Sequence, residues 1–222
     1  MARYAWQVLV IVVVLGTILV APTWETLFAA AVAVILNRVG RPDWRVDFGL
    51  RPIPWKHVLF TVLAGIALFF VVKLCLQPLC DLITHSTRNL HSFDRIRGQS
   101  RIATLLILKT MLLAGLCEEI IFRGTVQQRI RVLFERMPGG TVLTIIVAAA
   151  IFTSFHWYQG PSGLLLVGLL ALIDCGVYAA TKYTLTYTVI LHLVYDTLAL
   201  TAIALNYDLI LQHWALRLLR LS

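Results

Sequence analysis

The sequence has little charge for its length. Of its 222 residues only 14% are charged, whereas 59% are hydrophobic. Soluble domains are usually about 45–50% apolar, so this composition excludes an ordinary water-soluble domain and predicts a polytopic membrane protein. Linkers and low-complexity segments are also missing from the sequence. Their absence predicts a single membrane domain over residues 1–222.

Cysteine is scarce, and familiar metal-binding patterns are absent. The four cysteines form no CxxC pair and no zinc-knuckle spacing, and the chain contains no HExxH motif. The cysteines are therefore interpreted as buried free thiols in apolar segments.

Acidic residues are the minority charge. The chain has 11 Asp and Glu against 19 Lys and Arg, which gives a formal net charge of +8. In a membrane protein, basic loops usually contact anionic headgroups and set the topology. Membrane lipid is therefore an expected partner, and nucleic acid is not.

Long apolar runs are what the chain has in abundance. They predict an all-α, polytopic transmembrane helical bundle of six to eight helices. N-terminal helices are expected within 1–100, the catalytic core helices within 101–205 and an amphipathic tail within 206–222. The apolar runs cover residues 4–21, 24–36, 57–76, 101–123, 141–157, 162–180 and 184–205.

Three polar features lie beside these runs. Residues 37–56 form a basic loop with several prolines, and residues 125–137 form a basic amphipathic segment that is expected at the membrane surface. Lys73 lies near one end of its apolar run, where its side chain is expected to reach the interface.

The octapeptide CEEIIFRG, residues 117–124, places three charges in an apolar stretch. A charge in hydrocarbon costs about 2.5–3.5 kcal/mol even on the lenient insertion scale, so intramembrane charges are functional-site candidates. Glu119 and Arg123 are four residues apart with the acid first, which is the favoured order for an ion pair on one helix face. This pairing leaves Glu118 on a neighbouring face and available for chemistry.

Two histidines follow in the C-terminal half. His156 ends the segment FTSFH, four residues after Phe152, whose ring is expected to shield the imidazole from bulk water. His192 and Asp196 have the same spacing in HLVYD, so Asp196 can hold the imidazole in one tautomer or share a ligand with it. Asp174 lacks such a neighbour and is interpreted as a packing or lumen-facing residue.

A carboxylate with two imidazoles suits hydrolysis. A glutamate in a poorly hydrated site is a competent general base. One histidine can orient or deprotonate the water, and the other can donate to the oxyanion of a tetrahedral intermediate. The same side chains could also bind zinc, because His, Glu and Asp are all acceptable ligands. The zinc ligands would then be Glu118, His156, His192 and Asp196.

The three segments resemble the motifs of a known family. EEIIFR, FTSFH and HLVYD are similar, in this order, to the EExxxR, FxxxH and HxxxN/D motifs of the type II CAAX prenyl protease and bacteriocin-processing family of intramembrane proteases. The resemblance covers about residues 101–205. It implies an all-helical membrane core with a glutamate-activated water inside.

The resemblance also implies roles for individual residues. Glu118 would be the general base with His156 assisting it, and His192 and the residue at 196 would form the oxyanion site. This chain has Asp rather than Asn at 196, and a carboxylate donates to an oxyanion only when it is protonated. Orienting His192 therefore suits Asp196 better. The supporting residues would be Glu119, Arg123 and Phe152.

The sequence thus predicts an intramembrane endopeptidase that cuts a membrane-anchored or lipidated protein or peptide tail. A mechanism without a metal cofactor is favoured, and a zinc-dependent protease is the alternative. A non-catalytic transporter or immunity protein is a second alternative, although the internal repeat typical of transporters is not found. The expected location is the cytoplasmic membrane of a bacterium or archaeon.

Overall fold

The computed structural model describes residues 2–20, 25–39 and 48–218. Within these ranges the chain is helical and contains no β-strand, which confirms the predicted all-α class. The α-helices of the described ranges are α1 Ala2–Val20, α2 Glu25–Arg38, α3 Trp55–Val71, α4 Gln77–Thr84, α5 Ser100–Leu112, α6 Gln128–Phe134, α7 Gly140–Ser154, α8 Gly160–Ala180, α9 Leu185–Ala204 and α10 Tyr207–Leu218.

Four shorter elements complete the described chain. Two are π-helical segments, the first at Val72–Leu76 and the second at Leu113–Gln127, and they join α3 to α4 and α5 to α6. Two are 3₁₀ turns, at His91–Ile96 and Trp157–Gln159. Residues 40–47 of the predicted basic loop and residues 219–222 of the predicted tail lie outside the described residues.

Three helical stretches are long and apolar enough to cross a membrane. They are Trp55–Thr84, Trp157–Ala180 and Leu185–Ala204, by length and composition. The shorter apolar helices in the described part of the chain are Tyr4–Leu19, Thr26–Arg38 and Gly140–Ser154. The predicted total of six to eight spans stays a prediction, because the shorter helices are below the usual spanning length of about 20 residues.

Helix α9 lies at the centre of the core. It packs against α3, α5, α8 and the second π-helical segment. Two neighbouring segments can approach α9 closely because each of them presents a glycine to it. A Cβ atom at Gly65 would lie 2.9 Å from the Cβ of Val194, and one at Gly115 would lie 2.2 Å from a methyl carbon of Leu193. Small residues at helix contacts are the usual means of close packing in membrane proteins.

Replacing Gly65 by alanine should lower the apparent melting temperature of the protein in detergent. The new methyl group would meet the branched Val194 side chain at its root, which cannot rotate away. Overpacking of this kind costs about 1–3 kcal/mol, more than alanine gains over glycine in helix propensity. Gly176→Ala is the matched control, because nothing lies within 4 Å of a Cβ there. A Gly65→Ala protein as stable as Gly176→Ala would show that α3 and α9 do not pack this closely.

The segment after the second π-helical segment is more buried than the sequence suggested. Arg129, predicted to lie at the membrane surface, is buried and donates hydrogen bonds to Gln7 Oε1 at 2.8 Å and to Asn37. The interfacial interpretation of this segment is therefore wrong for Arg129. Its charge faces polar groups on α1 and α2 because α6 packs against α1 and α7.

Lys73 is also placed differently from the prediction. The apolar run 57–76 continues as helix to Thr84, so Lys73 lies within a long helical stretch rather than near its end. Its side chain is turned into the protein and lines a cavity, so it does not extend to the interface. Only 8% of Lys73 is exposed.

Candidate active site

The motif CEEIIFRG lies entirely within the second π-helical segment. π-Helical turns occur frequently at functional sites, where their wider turn redirects side chains. The two adjacent glutamates consequently have different surroundings. Glu118 lines an internal cavity, whereas Glu119 is 0% exposed and lies behind the cavity wall.

Glu119 belongs to a buried cluster of charges. Its Oε1 lies 2.9 Å from a terminal nitrogen of Arg123, so the predicted ion pair is present. The other terminal nitrogen of Arg123 lies 3.3 Å from Oδ2 of Asp174, and the guanidinium carbon lies 4.4 Å from the ring centroid of Phe152. Arg123 is 0% exposed. One guanidinium therefore holds two carboxylates and is covered by an aromatic face.

Asp174 has a larger part in this cluster than its sequence interpretation assigned. It lines the cavity, in agreement with a lumen-facing position, but it also contacts Arg123. Sequence reasoning missed this contact because the two residues lie on different helices. The one available signal was an acidic residue in the middle of an apolar run.

His192 lies between two carboxylates. Its Nδ1 is 2.9 Å from Oε1 of Glu119, and its Nε2 is 3.3 Å from Oδ2 of Asp196. The contact with Asp196 was predicted from the sequence, and the contact with Glu119 was not. The imidazole is therefore fixed from both sides, one contact coming from its own helix and the other from the second π-helical segment.

His156 follows the end of α7 and is oriented by that helix. Its Nδ1 lies 3.0 Å from the carbonyl oxygen of Phe152. A carbonyl only accepts hydrogen bonds, so Nδ1 carries the proton and the neutral ring keeps its lone pair on Nε2. The ring centroids of His156 and Phe152 are 4.6 Å apart, as expected for an aromatic wall beside the imidazole.

These groups meet at one cavity of about 350 Å³. This volume is at the lower end of the range for ligand pockets. The sequence-predicted residues on its wall are Glu118, Phe152, His156, His192 and Asp196. The other two predicted residues, Glu119 and Arg123, are buried behind it and contact His192 and Phe152.

Three basic residues of the same wall, Lys73, Arg88 and Lys109, were not singled out as site residues. Lys73 and Arg88 both line the cavity. Lys73 was interpreted as a lipid-interface residue, and Arg88 as one of several arginines in a polar loop. No sequence spacing connects either residue with the motifs, because they are brought there by the packing of the first half of the chain on the second.

A metal ion needs several donor side chains close together. Within residues 2–20, 25–39 and 48–218, no group of three or more His, Cys, Asp or Glu side chains could hold a metal ion. Both ring nitrogens of His192 face carboxylates, at 2.9 and 3.3 Å.

Part of the chain matches a known protein family. Residues 100–198 match the family model described as "Type II CAAX prenyl endopeptidase Rce1-like". Residues 100–198 of the chain are therefore similar to the Rce1-like family. All three motifs lie inside the matched range, in agreement with the family that they predicted. No curated protein and no solved structure matches the chain.

The match over residues 100–198 indicates the class of the protein. Rce1-like proteins are type II CAAX prenyl endopeptidases, which are proteases, in agreement with the predicted enzyme class. The three long apolar helices agree with an integral membrane protein. The transporter and immunity-protein alternatives are therefore not favoured.

Proposed function

We propose that this protein hydrolyses a peptide bond near the membrane, in a membrane-anchored or lipidated tail, with a water molecule activated by Glu118. One observation carries the proposal. Glu118 faces the cavity, and it makes no side-chain hydrogen bond or salt bridge to any described residue. Glu119, its neighbour, is engaged by Arg123 and His192. Of these two glutamates, Glu118 is the one available to accept a proton from water.

The geometry suggests how His156 assists. Because its Nδ1–H donates to the carbonyl of Phe152, its Nε2 is the nitrogen able to accept a hydrogen bond from water. Glu118 takes one proton from the water as the water oxygen attacks the carbonyl carbon. A tetrahedral intermediate with a negatively charged oxygen results. When the C–N bond breaks, Glu118 returns the proton to the departing amine nitrogen.

His192 is suited to stabilise the negatively charged oxygen. The residue lines the cavity, and its Nε2 contacts Asp196 at 3.3 Å, a long separation for a hydrogen bond. A ring that donates from Nε2 while Nδ1–H donates to Glu119 is the protonated imidazolium, and a flanking carboxylate on each side suits that form. Asp196 then orients the ring and is not itself the donor. Fixed donors directed at a developing oxyanion are a major source of catalysis.

The substrate proposal is confined to a chemical class. The matched family is described by CAAX prenyl endopeptidase activity, which supports a lipid-anchored tail as the substrate. A cavity of about 350 Å³ admits only a short stretch of peptide. A bacterial or archaeal cytoplasmic membrane remains the proposed location.

A cleavage assay tests the proposed function. The purified protein in liposomes should cut an N-terminally fluorescent, S-farnesylated peptide that ends in a CAAX sequence, and mass spectrometry should identify two peptide products. The same peptide without the farnesyl group, kept in solution, should be cut at least about tenfold more slowly. Equal rates on the anchored and soluble peptides would contradict an intramembrane site for an anchored substrate. Release of no peptide product from the farnesylated peptide would contradict the substrate class.

We further propose that the reaction needs no metal cofactor. Arg123 places a fixed positive charge next to the carboxylates, which disfavours a second cation, and a glutamate with an imidazole can activate water without a Lewis acid. Purified active protein should contain far less than one zinc per chain, and chelators should leave the cleavage rate within about threefold. Stoichiometric zinc, with activity lost on chelation and restored by zinc, would overturn this proposal.

A further inference from the structure

A buried lysine on the cavity wall has no assigned purpose in the proposed reaction. Lys73 is only 8% exposed and lines the cavity that holds Glu118. It is buried in the first π-helical segment and makes no hydrogen bond or salt bridge to another described residue. Buried charges in proteins are normally paired. An unpaired buried ammonium group that faces a cavity points to an anion that binds there.

The backbone around Lys73 is unusual, which agrees with a side chain directed at the cavity. Lys73 lies in the first π-helical segment, Val72–Leu76, which interrupts an otherwise α-helical stretch from Trp55 to Thr84. The glutamate motif lies in the second π-helical segment. Both unusual turns therefore carry a charged residue that lines the same cavity.

A second cation lies on the same wall. Arg88 lines the main cavity together with Lys73, and both also line a smaller adjoining cavity. Nε of Arg88 donates to Oε1 of Gln159 at 2.8 Å, which uses one of the five N–H donors of the guanidinium and fixes its position. An arginine held in this way presents a planar donor set that matches a carboxylate.

The acidic residues nearby are already engaged. Asp208 forms two hydrogen bonds with Arg97, at 2.9 and 2.8 Å. Asp81 accepts hydrogen bonds from Gln77 at 2.8 Å and from Ser162. Neither carboxylate forms a salt bridge with Lys73 or Arg88 among the described residues, so both cations lack a carboxylate in direct contact.

We propose that Lys73 and Arg88 form an anion site that holds the free C-terminal carboxylate of the substrate tail. The proposal rests on the proposed function and extends it to substrate selection. Lys73, Arg88 and Glu118 line the same cavity, so a short tail whose carboxylate binds the two cations would lie in the cavity that Glu118 faces. The enzyme would then select tails that end inside the cavity and reject internal segments of the same sequence.

The test compares two peptides that differ only at their C-terminus. One is an N-terminally fluorescent, S-farnesylated peptide ending in a free carboxylate, and the other is its C-terminal amide. Binding is measured by fluorescence anisotropy with the Glu118→Gln protein, in detergent and in liposomes of neutral lipid. The free acid should bind at least about tenfold more tightly, the factor expected from charge-assisted hydrogen bonds to one carboxylate.

Substitutions of Lys73 and Arg88 test whether these two residues form the carboxylate site. In the same background, Lys73→Met and Arg88→Gln should each reduce the difference between acid and amide to within about threefold, mainly by weakening binding of the acid. Lys73→Arg should retain most of the difference. Lys56→Met is the matched control, since Lys56 lies on the same helical stretch but contacts the ring of Trp55 and does not line the cavity. Melting temperatures of all variants show whether each one is folded.

Several results would overturn the proposal. Equal binding of acid and amide, unmeasurable binding of both, or discrimination that survives in both cation variants would each do so. If the free acid and the amide bind equally well, and anionic lipid abolishes the binding of both, the site binds a lipid headgroup instead of the substrate carboxylate. Failure of the proposed function is separate: if Glu118→Gln still cleaves the peptide, Glu118 is not the base, whatever the acid and amide binding shows.

Discussion

Glu118→Gln should insert and fold normally while its cleavage rate falls by at least about 10²-fold, the lower range for loss of a general base. The amide keeps the shape of the side chain but cannot take a proton from water. Stability should change little, because Glu118 makes no side-chain hydrogen bond or salt bridge within the described residues and lines the cavity. The rate is measured with the farnesylated peptide in liposomes, and stability by thermal unfolding in detergent.

Glu135→Gln provides the comparison for this result. It makes the same chemical change at an exposed position that does not line the cavity. Its cleavage rate should stay within about threefold of wild type. A Glu118→Gln rate in that same range would remove Glu118 from the mechanism and leave Glu119 as the remaining glutamate of the motif.

Arg123→Ala should be the most destabilising single change of the site. Arg123 is 0% exposed and contacts Glu119 at 2.9 Å and Asp174 at 3.3 Å. Its removal leaves two carboxylates in the interior without their cation, and breaking a buried pair in this way costs about 3–5 kcal/mol. Glu119→Gln should also lower stability, because the arginine would keep only the longer contact. Both changes should lower the melting temperature in detergent well below that of Glu118→Gln.

An exposed arginine is the control for Arg123→Ala. It tests whether the loss of stability comes from the burial of Arg123 or from the loss of any arginine. Arg101 lies exposed at the start of α5, and Arg101→Ala should leave the melting temperature nearly unchanged. Equal melting temperatures for Arg123→Ala, Glu119→Gln and Glu118→Gln would contradict the division between a structural and a chemical glutamate.

Contacts within one helix were predictable from spacing alone. Glu119 with Arg123, and His192 with Asp196, are each four residues apart and do contact one another. Their separation follows from the repeat of the helix, which depends on local sequence and not on the rest of the fold.

The helices formed by the long apolar runs were predictable for a similar reason. The helices Trp157–Ala180 and Leu185–Ala204 closely follow the runs at 162–180 and 184–205. Backbone groups in lipid must pair within their own segment, so a continuous apolar run has helix as its stable form. The same local logic failed at Lys73, because the packing of other helices buries its side chain at the cavity wall.

The sequence by itself determined the all-α class, the family motifs and the pairs four residues apart, because each depends on neighbours in the chain. Only the tertiary structure decided which glutamate faces the cavity, that His192 contacts Glu119, and that Asp174 shares Arg123. It also decided that Lys73 and Arg88 reach the same wall. These contacts join residues on different helices, and their geometry depends on how the helices pack and where a π-helical turn redirects a side chain.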